Sequence, residues 1–240
     1  MRAALKTAEQ ARTGEAMAIS FAGFELLLDP AGTVFLAEDR ILVVSDLHLE
    51  KASSFARGRI YLPPYDTAAT LARLAGMVAK YDPATIISLG DSFHDDEAAG
   101  RLSGEALDTI GAIARGRDMI WVTGNHDPSP PDGVPGQSVE MLALGRVTFR
   151  HVPDPAEFGH EICGHLHPCA KIVVRGQSVR RACFAGDEVR LVMPSFGAFT
   201  GGLNVCDAAF AGLFELSRFR AYMLGNDRIY PIGARNLYAD

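Results

Sequence analysis

The segment Gly124-Asn125-His126-Asp127 carries an amide, an imidazole and a carboxylate directly after the apolar run from Met119 to Thr123. Such side chains at the end of a buried strand could ligate a metal ion and donate a proton. The same four residues could also form only a turn, because Gly and Asn tolerate a positive φ angle and Asp forms local hydrogen bonds. The segment alone does not decide between a reactive site and a turn.

Two other apolar runs end in comparable side chains. The run Ile41–Val44 has no polar alternation, which predicts a strand buried on both faces, and Asp46 and His48 follow it. Because residues two apart on an extended segment point to the same side, we expect this carboxylate and this imidazole to converge. The run Thr85–Leu89 is followed in the same way by Asp91. Both carboxylates are therefore predicted at the ends of buried strands.

Three more histidines follow strand-like segments. His151 comes after residues 147–150, while His165 and His167 come after residues 161–163. Ligands of open α/β sheets bind outside the carboxyl ends of the strands, so all of these side chains can meet there. A lone histidine at a strand end is more often structural, but five of the seven histidines of the chain fall in these segments. The pattern therefore favours a shared site over separate structural roles.

Metal ions explain why so many titratable side chains would be placed together. A buried carboxylate is costly without compensation, and two divalent cations would supply that compensation. Nitrogen and oxygen donors without a thiolate favour Mn²⁺, Fe or Zn²⁺ over Ca²⁺ or Mg²⁺. Two such ions suit displacement at phosphorus, because they can activate water and hold the phosphoryl oxygens. We therefore expect hydrolysis of a phosphoester.

The motifs resemble, in order, those of the calcineurin-like metallophosphoesterase superfamily, over residues 46–167: Asp-x-His, Gly-Asp, Gly-Asn-His-Asp, a single His and Gly-His-x-His. The resemblance implies seven metal ligands and one proton donor. Asp46, His48 and His167 would hold one ion, Asn125, His151 and His165 would hold the other, and Asp91 would bridge the two. His126 would contact the scissile phosphate and protonate the leaving oxygen.

His94, three residues after Asp91, narrows the branch of the superfamily. Members related to protein phosphatases usually carry a carboxylate at that position, which orients the catalytic histidine. A histidine there resembles the double-strand-break repair nucleases of the superfamily. We therefore expect His94 to act with His126 in catalysis, although a plain structural role for His94 is the alternative.

Longer segments resemble the bacterial ligase-associated DNA-damage-response phosphoesterases, the PdeM family. These segments are residues 46–51, 163–168 and 193–202, and the resemblance extends over about residues 24–204. It implies a Mn²⁺-dependent phosphodiesterase that cuts DNA internally, with single-stranded DNA as the expected substrate and a DNA ligase and a helicase as partners. Residues 195–202 carry no chemistry that can be derived from their types.

Basic and aromatic residues are interleaved between Glu50 and Tyr65, a segment that we predict to be a loop. Lys51 and Arg57 are expected to contact the substrate beside the metal ions, because basic side chains bind the phosphate backbone while an aromatic ring stacks on a base. The alternative is a solvated basic loop without a role in binding.

Composition limits the class of protein. The chain has 240 residues, of which 48% are hydrophobic, and this predicts a single domain over residues 17–240. Residues 1–16 are predicted to form a flexible tail, and they contain no apolar run of signal-peptide length. A net charge of −6 is unlike that of a protein that coats DNA. Since no stretch approaches the ~18 apolar residues of a membrane span, we expect a cytoplasmic protein without a membrane partner. The four cysteines form no Cys-x-x-Cys pair, which indicates buried, reduced thiols.

The motifs must be positioned by strands and helices of an α/β fold. We predict one helix over residues 67–81, with Asp66 as its N-cap, and another over residues 104–115, with Ser103 as its N-cap. Alternation of strands and helices over residues 41–123 indicates two βαβ units and a parallel sheet. After Asp127, short segments separated by turns, among them one strand over residues 139–144, indicate antiparallel pairing. The superfamily resemblance implies a four-layer αββα sandwich of two mixed sheets flanked by helices.

Two other functions remain open at this point. One is a phosphatase or phosphodiesterase for a small nucleotide-like substrate, which the negative net charge favours. The other is a scaffold that binds a repair ligase or helicase without catalysis. A complete set of predicted ligands argues against the scaffold, because a degenerate enzyme is expected to have lost some of them.

Overall fold

The computed structural model describes residues 15–129, 133–156 and 159–240, so that residues 1–14 of the predicted tail lie outside the described residues. The strands are β1 (Met17–Phe21), β2 (Phe24–Leu28), β3 (Val34–Leu36), β4 (Ile41–Val44), β5 (Thr85–Leu89), β6 (Asp118–Val122), β7 (Gln137–Val139), β8 (Leu142–Leu144), β9 (Val147–Arg150), β10 (His160–Cys163), β11 (Pro168–Val174), β12 (Gln177–Gly186), β13 (Arg190–Val192), β14 (Leu203–Asn204), β15 (Arg220–Leu224) and β16 (Ile229–Gly233). The α-helices among these residues are α1 (Lys51–Arg57), α2 (Asp66–Tyr81) and α3 (Gly104–Ala114). No helix of the described segments is long and apolar enough to cross a membrane.

An unbroken apolar run places β4 in the middle of the first sheet. Its side chains alternate between two cores: Leu42 and Val44 pack toward the helices, whereas Ile41 and Val43 pack between the sheets. The order of this sheet is β1-β2-β3-β4-β5-β6-β7, with β4 to β7 parallel. The predicted βαβ units are confirmed, since α2 lies between β4 and β5 and α3 between β5 and β6.

The first residues of the helices show where sequence-local capping signals predict a helix start correctly and where they do not. Ser103 caps α3 as predicted, because its Oγ accepts a hydrogen bond from the Ala106 N–H at 3.2 Å. Asp66 is instead the first residue of α2, and its carboxylate accepts the Ala52 N–H of α1 at 2.9 Å. The predicted N-cap is thus wrong, and so is the predicted loop after Glu50, since α1 lies there. A helix as short as α1 is marginal alone, so the bond from Asp66 helps to explain its formation.

The second sheet contains both parallel and antiparallel pairs, and its parallel pair β9–β10 positions the histidines that follow these two strands. Within the described residues its order is β14-β11-β12-β13-β10-β9-β8, and β15 and β16 continue from β12. The hairpins β8–β9, β11–β12 and β15–β16 are antiparallel, but β10 runs parallel to both β9 and β13. The expectation of antiparallel pairing throughout is wrong, because strand patterns do not show which segments become neighbours in space. The carboxyl ends of β9 and β10 consequently share one edge.

The predicted single strand over residues 139–144 is two strands in different sheets. β7 pairs with β6 in the first sheet, whereas β8 pairs with β9 in the second, and the chain crosses between them at residues 140–141. Of the predicted span, only Val139 belongs to β7, whose other residues are polar, and residues 142–144 form β8. The prediction failed because tertiary packing ends one strand at Val139 and begins another at Leu142.

Among the described residues, three apolar cores hold the layers together. The first lies between the first sheet and α2 and α3, and the second lies between the two sheets. The third covers the outer face of the second sheet with Val205, Phe210, Leu213 and Phe219, from a segment that contains the 3₁₀ helix Ala208–Phe210. The predicted sandwich of two mixed sheets with outer helices is confirmed, and within the described residues the outer layer of the second sheet contains this short 3₁₀ helix.

Candidate metal centre

Asp46, His48 and His167 form the first group of candidate metal ligands, called here the Asp46 cluster. One donor atom from each lies within 4.8 Å of the others. His167 Nε2 is 3.1 Å from Asp46 Oδ1 and 3.3 Å from His48 Nε2. Asp46 and His48 are buried, while the side chain of His167 is 19% exposed. The donor atoms thus converge on one point, with two ligands buried and His167 partly exposed to solvent.

Asp91, His151 and His165 form the second group, the Asp91 cluster, again with one donor atom each within 4.8 Å. His151 Nε2 lies 3.3 Å from Asp91 Oδ1, 3.2 Å from His165 Nδ1 and 3.1 Å from the amide oxygen of Asn125. The Nδ1–H of His151 donates to the Leu89 carbonyl at 2.8 Å. This bond directs Nε2 toward the other donors, so that Nε2 is the ring nitrogen that would bind a metal ion.

Backbone conformation at these ligands differs from our expectation. Asp46, His48, Asp91, His165 and His167 all have positive φ angles, between 44° and 70°. The Asp-x-His and His-x-His segments are therefore not extended, and the reason that we gave for the convergence of Asp46 and His48 is wrong. Residues without a glycine's freedom rarely adopt this region, and such strain concentrates at functional sites. Five of the seven predicted ligands share it.

Asp127 joins two of the motifs, a role that the sequence did not suggest beyond local turn formation. Its Oδ1 accepts the backbone N–H groups of Asp91 and Gly124, each at 2.9 Å. Its Oδ2 accepts those of Ser92 at 2.7 Å and Phe93 at 3.1 Å. One buried carboxylate thus fixes the turn that carries Asn125 and His126 against the turn that carries Asp91. The available sequence signal was the residue type, because a short Asp side chain readily accepts hydrogen bonds from nearby backbone N–H groups.

The Asp46 carboxylate is oriented from two sides. Ser45 Oγ donates to its Oδ2 at 2.5 Å, and the His165 N–H lies 3.2 Å from the same oxygen. Ser195 Oγ donates to the backbone carbonyl of Asp46 at 2.9 Å. Sequence reasoning assigned no role to Ser45 or Ser195. Ser195 and the His165 N–H connect segments that follow strands of the second sheet to the end of β4, whereas Ser45 orients the carboxylate from its own segment.

Gly164 allows these segments to meet, and Gly164→Ala is expected to separate them. An added Cβ would lie 2.0 Å from Ser45 Oγ and 2.7 Å from Asp46 Oδ2. Overpacking of this kind costs about 1–3 kcal/mol of unfolding free energy, and we also expect weaker metal binding because the clash falls on a ligand. Thermal unfolding with Mn²⁺ and with EDTA measures both effects.

Gly111→Ala is the matched control for this variant. Gly111 lies inside α3, and nothing is within 4 Å of its added Cβ. Alanine there should raise the unfolding free energy by about 0.5–1 kcal/mol and leave the Mn²⁺-dependent shift in Tm as it is. If Gly164→Ala behaved like Gly111→Ala, the close approach would not matter to the site.

His126 lies at the open side of the clusters and belongs to neither. Its Nδ1–H donates to the His94 carbonyl at 2.9 Å, and its Nε2 is 3.9 Å from Asp91 Oδ2. The backbone N–H of His126 donates to Asp91 Oδ1 at 2.9 Å, and the His126 side chain is 41% exposed. The free ring nitrogen therefore faces the region where a substrate can approach.

His94 contacts both His126 and His48. Its ring stacks on that of His126, with centroids 5.2 Å apart at 19°. Its Nδ1 lies 3.3 Å from Nδ1 of His48, on the side opposite the Asp46 cluster. The backbone carbonyl rather than the imidazole of His94 thus bonds to His126.

Electrostatics in the site favour a cation. Burial opposes a proton on His151, but the hydrogen bond to Asp91 and the charges of Asp46 and Asp91 outweigh it and raise the pKa of His151 to about 8. Burial lowers the pKa of His48 to about 3, only partly offset by Asp46, so this imidazole is neutral and can donate its lone pair. The same carboxylates that attract a proton to His151 would attract a metal ion.

The donor set fits two divalent cations. Each cluster offers carboxylate oxygen and imidazole nitrogen, the ligands shared by Mn²⁺, Fe and Zn²⁺. The thiol of Cys163 points to the Leu191 carbonyl, and burial raises its pKa well above the ordinary value. This thiol is therefore protonated and is no competing ligand.

Of the two predicted substrate contacts, one lies beside the clusters. Lys51 is half-buried, and burial lowers its pKa. Its Nζ lies 5.8 Å from the centre of the Phe55 ring, which is itself 5.4 Å from the His94 ring. Arg57, at the end of α1, forms an ion pair with Glu97, and both side chains are exposed. Its charge is engaged there rather than by the clusters.

Comparisons with known proteins agree with this geometry. The sequence model of the calcineurin-like phosphoesterase family matches residues 39–175. The crystal structure of the nuclease MPE of Pseudomonas putida is 27% identical, with a TM-score of 0.68, over 90% of this chain and 100% of that chain. The phosphoesterase YfcE of E. coli is 12% identical over 80% of this chain and 98% of that chain, but its TM-score of 0.40 supports no conclusion. No curated protein matches significantly. Since the family match spans more than half of the chain and the candidate ligands lie inside it, the chain belongs to the calcineurin-like phosphoesterase family and is a metal-dependent phosphoesterase.

Proposed function

We propose that this phosphoesterase is a dinuclear phosphodiesterase with two Mn²⁺ ions. Asp46, His48 and His167 would hold one ion, Asn125, His151 and His165 the other, and Asp91 would be shared. One observation carries the proposal: the two oxygens of Asp91 face different clusters, Oδ1 being 3.3 Å from His151 Nε2 and Oδ2 3.9 Å from His48 Nε2. When bound, the ions would supply Lewis acidity, holding phosphoryl oxygens and activating water.

His126 is the proton donor in this proposal. Its Nδ1–H is held by the His94 carbonyl, so the ring presents Nε2 toward the open side of the site. A protonated Nε2 can pass its proton to the departing oxygen, and this nitrogen lies 3.9 Å from Asp91 Oδ2. The His94 ring stacks on this imidazole and fixes its plane. His94 is accordingly a positioning residue for His126.

The proposed substrate is single-stranded DNA, cut internally during repair. Likeness to the P. putida nuclease over nearly the whole of both chains supports nuclease activity. His94, where phosphatase-like members carry a carboxylate, favours the same assignment. Lys51, beside His94, is the proposed phosphate contact, and Arg57 would join it once released from Glu97. A DNA ligase and a helicase are the proposed partners, and the cytoplasm is the proposed compartment.

A small nucleotide-like diester is the second candidate substrate. The chain has a net charge of −6, which weakens the attraction to a long polyanion. A small diester would need only the clusters and His126.

Circular single-stranded DNA separates the two candidates. We expect Mn²⁺-loaded protein to linearise the circle, because only an internal cut can do so, and we expect the His126→Ala variant to cut far more slowly. A generic phosphodiester and a phosphomonoester, assayed at equal concentration, report the reaction class. Gel electrophoresis of the circle and colour release from the small esters are the measurements.

Each pattern of activity has one interpretation. Linear product that disappears in the variant supports an endonuclease. Turnover of the small diester with an intact circle would overturn the DNA assignment and support the second candidate. Turnover of the monoester alone would overturn the phosphodiesterase assignment.

A further inference from the structure

Residues 195–202, for which the sequence suggested no chemistry, form a loop that contacts two segments carrying ligands of the Asp46 cluster. Near one end, the Gly197 N–H donates to the Asp46 carbonyl at 3.0 Å, and a Cβ on Gly197 would lie 2.2 Å from the Leu47 carbonyl oxygen. At the other end, a Cβ on Gly202 would lie 2.5 Å from the His167 carbonyl oxygen. Glycines thus let the 195–202 loop contact the backbone beside Asp46 and His167 directly.

Two guanidinium groups brace this loop. Arg73 Nη1 donates to the Phe196 carbonyl at 2.9 Å, and its guanidinium lies 4.4 Å from the centre of the Phe196 ring. Arg180 Nη2 donates to the Gly202 carbonyl at 2.7 Å. The loop is therefore held at both ends, and the orientation of the residues between them is defined.

Phe199, in the middle of the loop, has an unfavourable backbone conformation and an exposed ring. Its φ angle is 58°, in the left-handed region that a bulky residue rarely adopts, and its side chain is 44% exposed. Glycine would adopt this conformation without strain, because it has no Cβ. Neither backbone preference nor burial explains a phenylalanine here, which points to a function for its ring.

The ring of Tyr65 packs beside that of Phe199. Their ring centroids are 5.8 Å apart, and Tyr65 is 59% exposed. Tyr65 immediately precedes α2, where the hydroxyl of Thr67 accepts the Glu50 N–H at 2.8 Å, two residues after His48. Phe199 is two residues from Gly197, at most ~7.6 Å between Cα atoms. The two rings therefore form an exposed aromatic pair at the rim of the clusters.

We propose that Tyr65 and Phe199 form a stacking platform for a nucleobase of a single strand whose phosphodiester lies on the metal clusters. This proposal rests on the proposed function and specifies its substrate contacts. Exposed aromatic faces bind unpaired bases without regard to sequence, and each such contact is worth enough to change affinity severalfold to a hundredfold. A duplex offers no free base face in its interior, so the platform selects single strands.

The test compares strands with and without bases. Binding of a labelled oligothymidylate and of an abasic strand of the same length is measured by fluorescence anisotropy with Mn²⁺, in the His126→Ala background so that the strand stays intact. We expect Tyr65→Ala combined with Phe199→Ala to weaken binding of the oligothymidylate about tenfold, and to leave binding of the abasic strand nearly as it was. Tyr230→Ala, which removes an exposed tyrosine from the terminal hairpin, is the matched control.

Phe199→Gly is the variant that separates loss of the aromatic ring from a general loss of structure. Glycine relieves the left-handed backbone, so we expect an unchanged or higher Tm together with weaker binding of the oligothymidylate. Equal loss of affinity for both strands, or no loss for either, would overturn the platform.

Failure of the proposed function has a different signature. If the unmutated protein cut the circle while base-bearing and abasic strands responded alike to the variants, the platform alone would be wrong. If the unmutated protein hydrolysed a small diester but neither bound nor cut the oligonucleotide, the nuclease assignment would fail first and the platform with it.

Discussion

Asp91→Asn is expected to abolish binding of the metal pair and hydrolysis together. The substitution keeps the size of the side chain but removes a charge that faces both clusters. Burial disfavours that charge, yet the hydrogen bond and charge of His151 and the His126 N–H hold the pKa of Asp91 below its ordinary value. The native carboxylate is thus ionised and ready to bind cations.

The expected size of this effect is large. Changes to groups that merely support a ligand already reduce metal affinity about 10–100-fold, so loss of the shared carboxylate should exceed that range. Metal content after gel filtration, measured by mass spectrometry, and turnover of a generic phosphodiester are the two measurements. Thermal unfolding should also lose its dependence on Mn²⁺, because a ligand that no longer binds the folded state no longer stabilises it.

Asp108→Asn is the matched control for the lost charge. Asp108 is an exposed carboxylate on α3, and its amide variant should keep both metals and full turnover. An Asp91→Asn protein with two bound ions would show that Asp91 is not shared between them. Retained turnover with one ion would support a mononuclear enzyme instead.

His126→Ala is expected to keep both metals and to lose about 10²–10⁴ in turnover of DNA, the usual scale of general acid catalysis. Metal binding should persist because His126 belongs to neither cluster. The loss should depend on the leaving group, since a nitrophenolate departs without a proton whereas a sugar alkoxide requires one. Turnover numbers for DNA and for a nitrophenyl diester, measured side by side, test this dependence.

His160→Ala is the matched control for a removed imidazole. His160 is at the other end of β10, about 10 Å along the strand from its carboxyl end. Its ring packs edge-on against Phe21, so the variant should affect stability slightly and leave the ratio of the two turnover numbers unchanged. An equal loss on both substrates in His126→Ala would indicate that His126 binds the phosphate rather than donating a proton.

Much of the first sheet could be predicted from residue types. Four apolar residues in β4 without alternation require burial on both faces, and the structure divides them between two cores. Ser103 precedes an apolar helix pattern and caps α3. These features depend on neighbours in sequence, which is why local reasoning predicted them correctly. The side chains that follow the parallel strands then meet at one edge.

Errors appeared where a distant segment determines the local structure. The carboxylate of Asp66 binds the Ala52 N–H instead of capping its own helix. Val139 and residues 142–144 lie in different sheets, because each pairs with a different strand. No pattern within either segment contains that information.

The sequence by itself determined which side chains meet, because strand ends and metal-ligand types are local properties. Only the tertiary structure decided how they meet. Asp46, His48 and His167 have left-handed φ angles, and the close approaches at Gly164 and Gly202 join segments that are more than thirty residues apart in the chain. The Phe199 ring is likewise oriented by contacts of its loop with Leu47 and Tyr65. Such contacts form only when separate parts of the chain pack together, so their geometry could not be predicted from the local pattern.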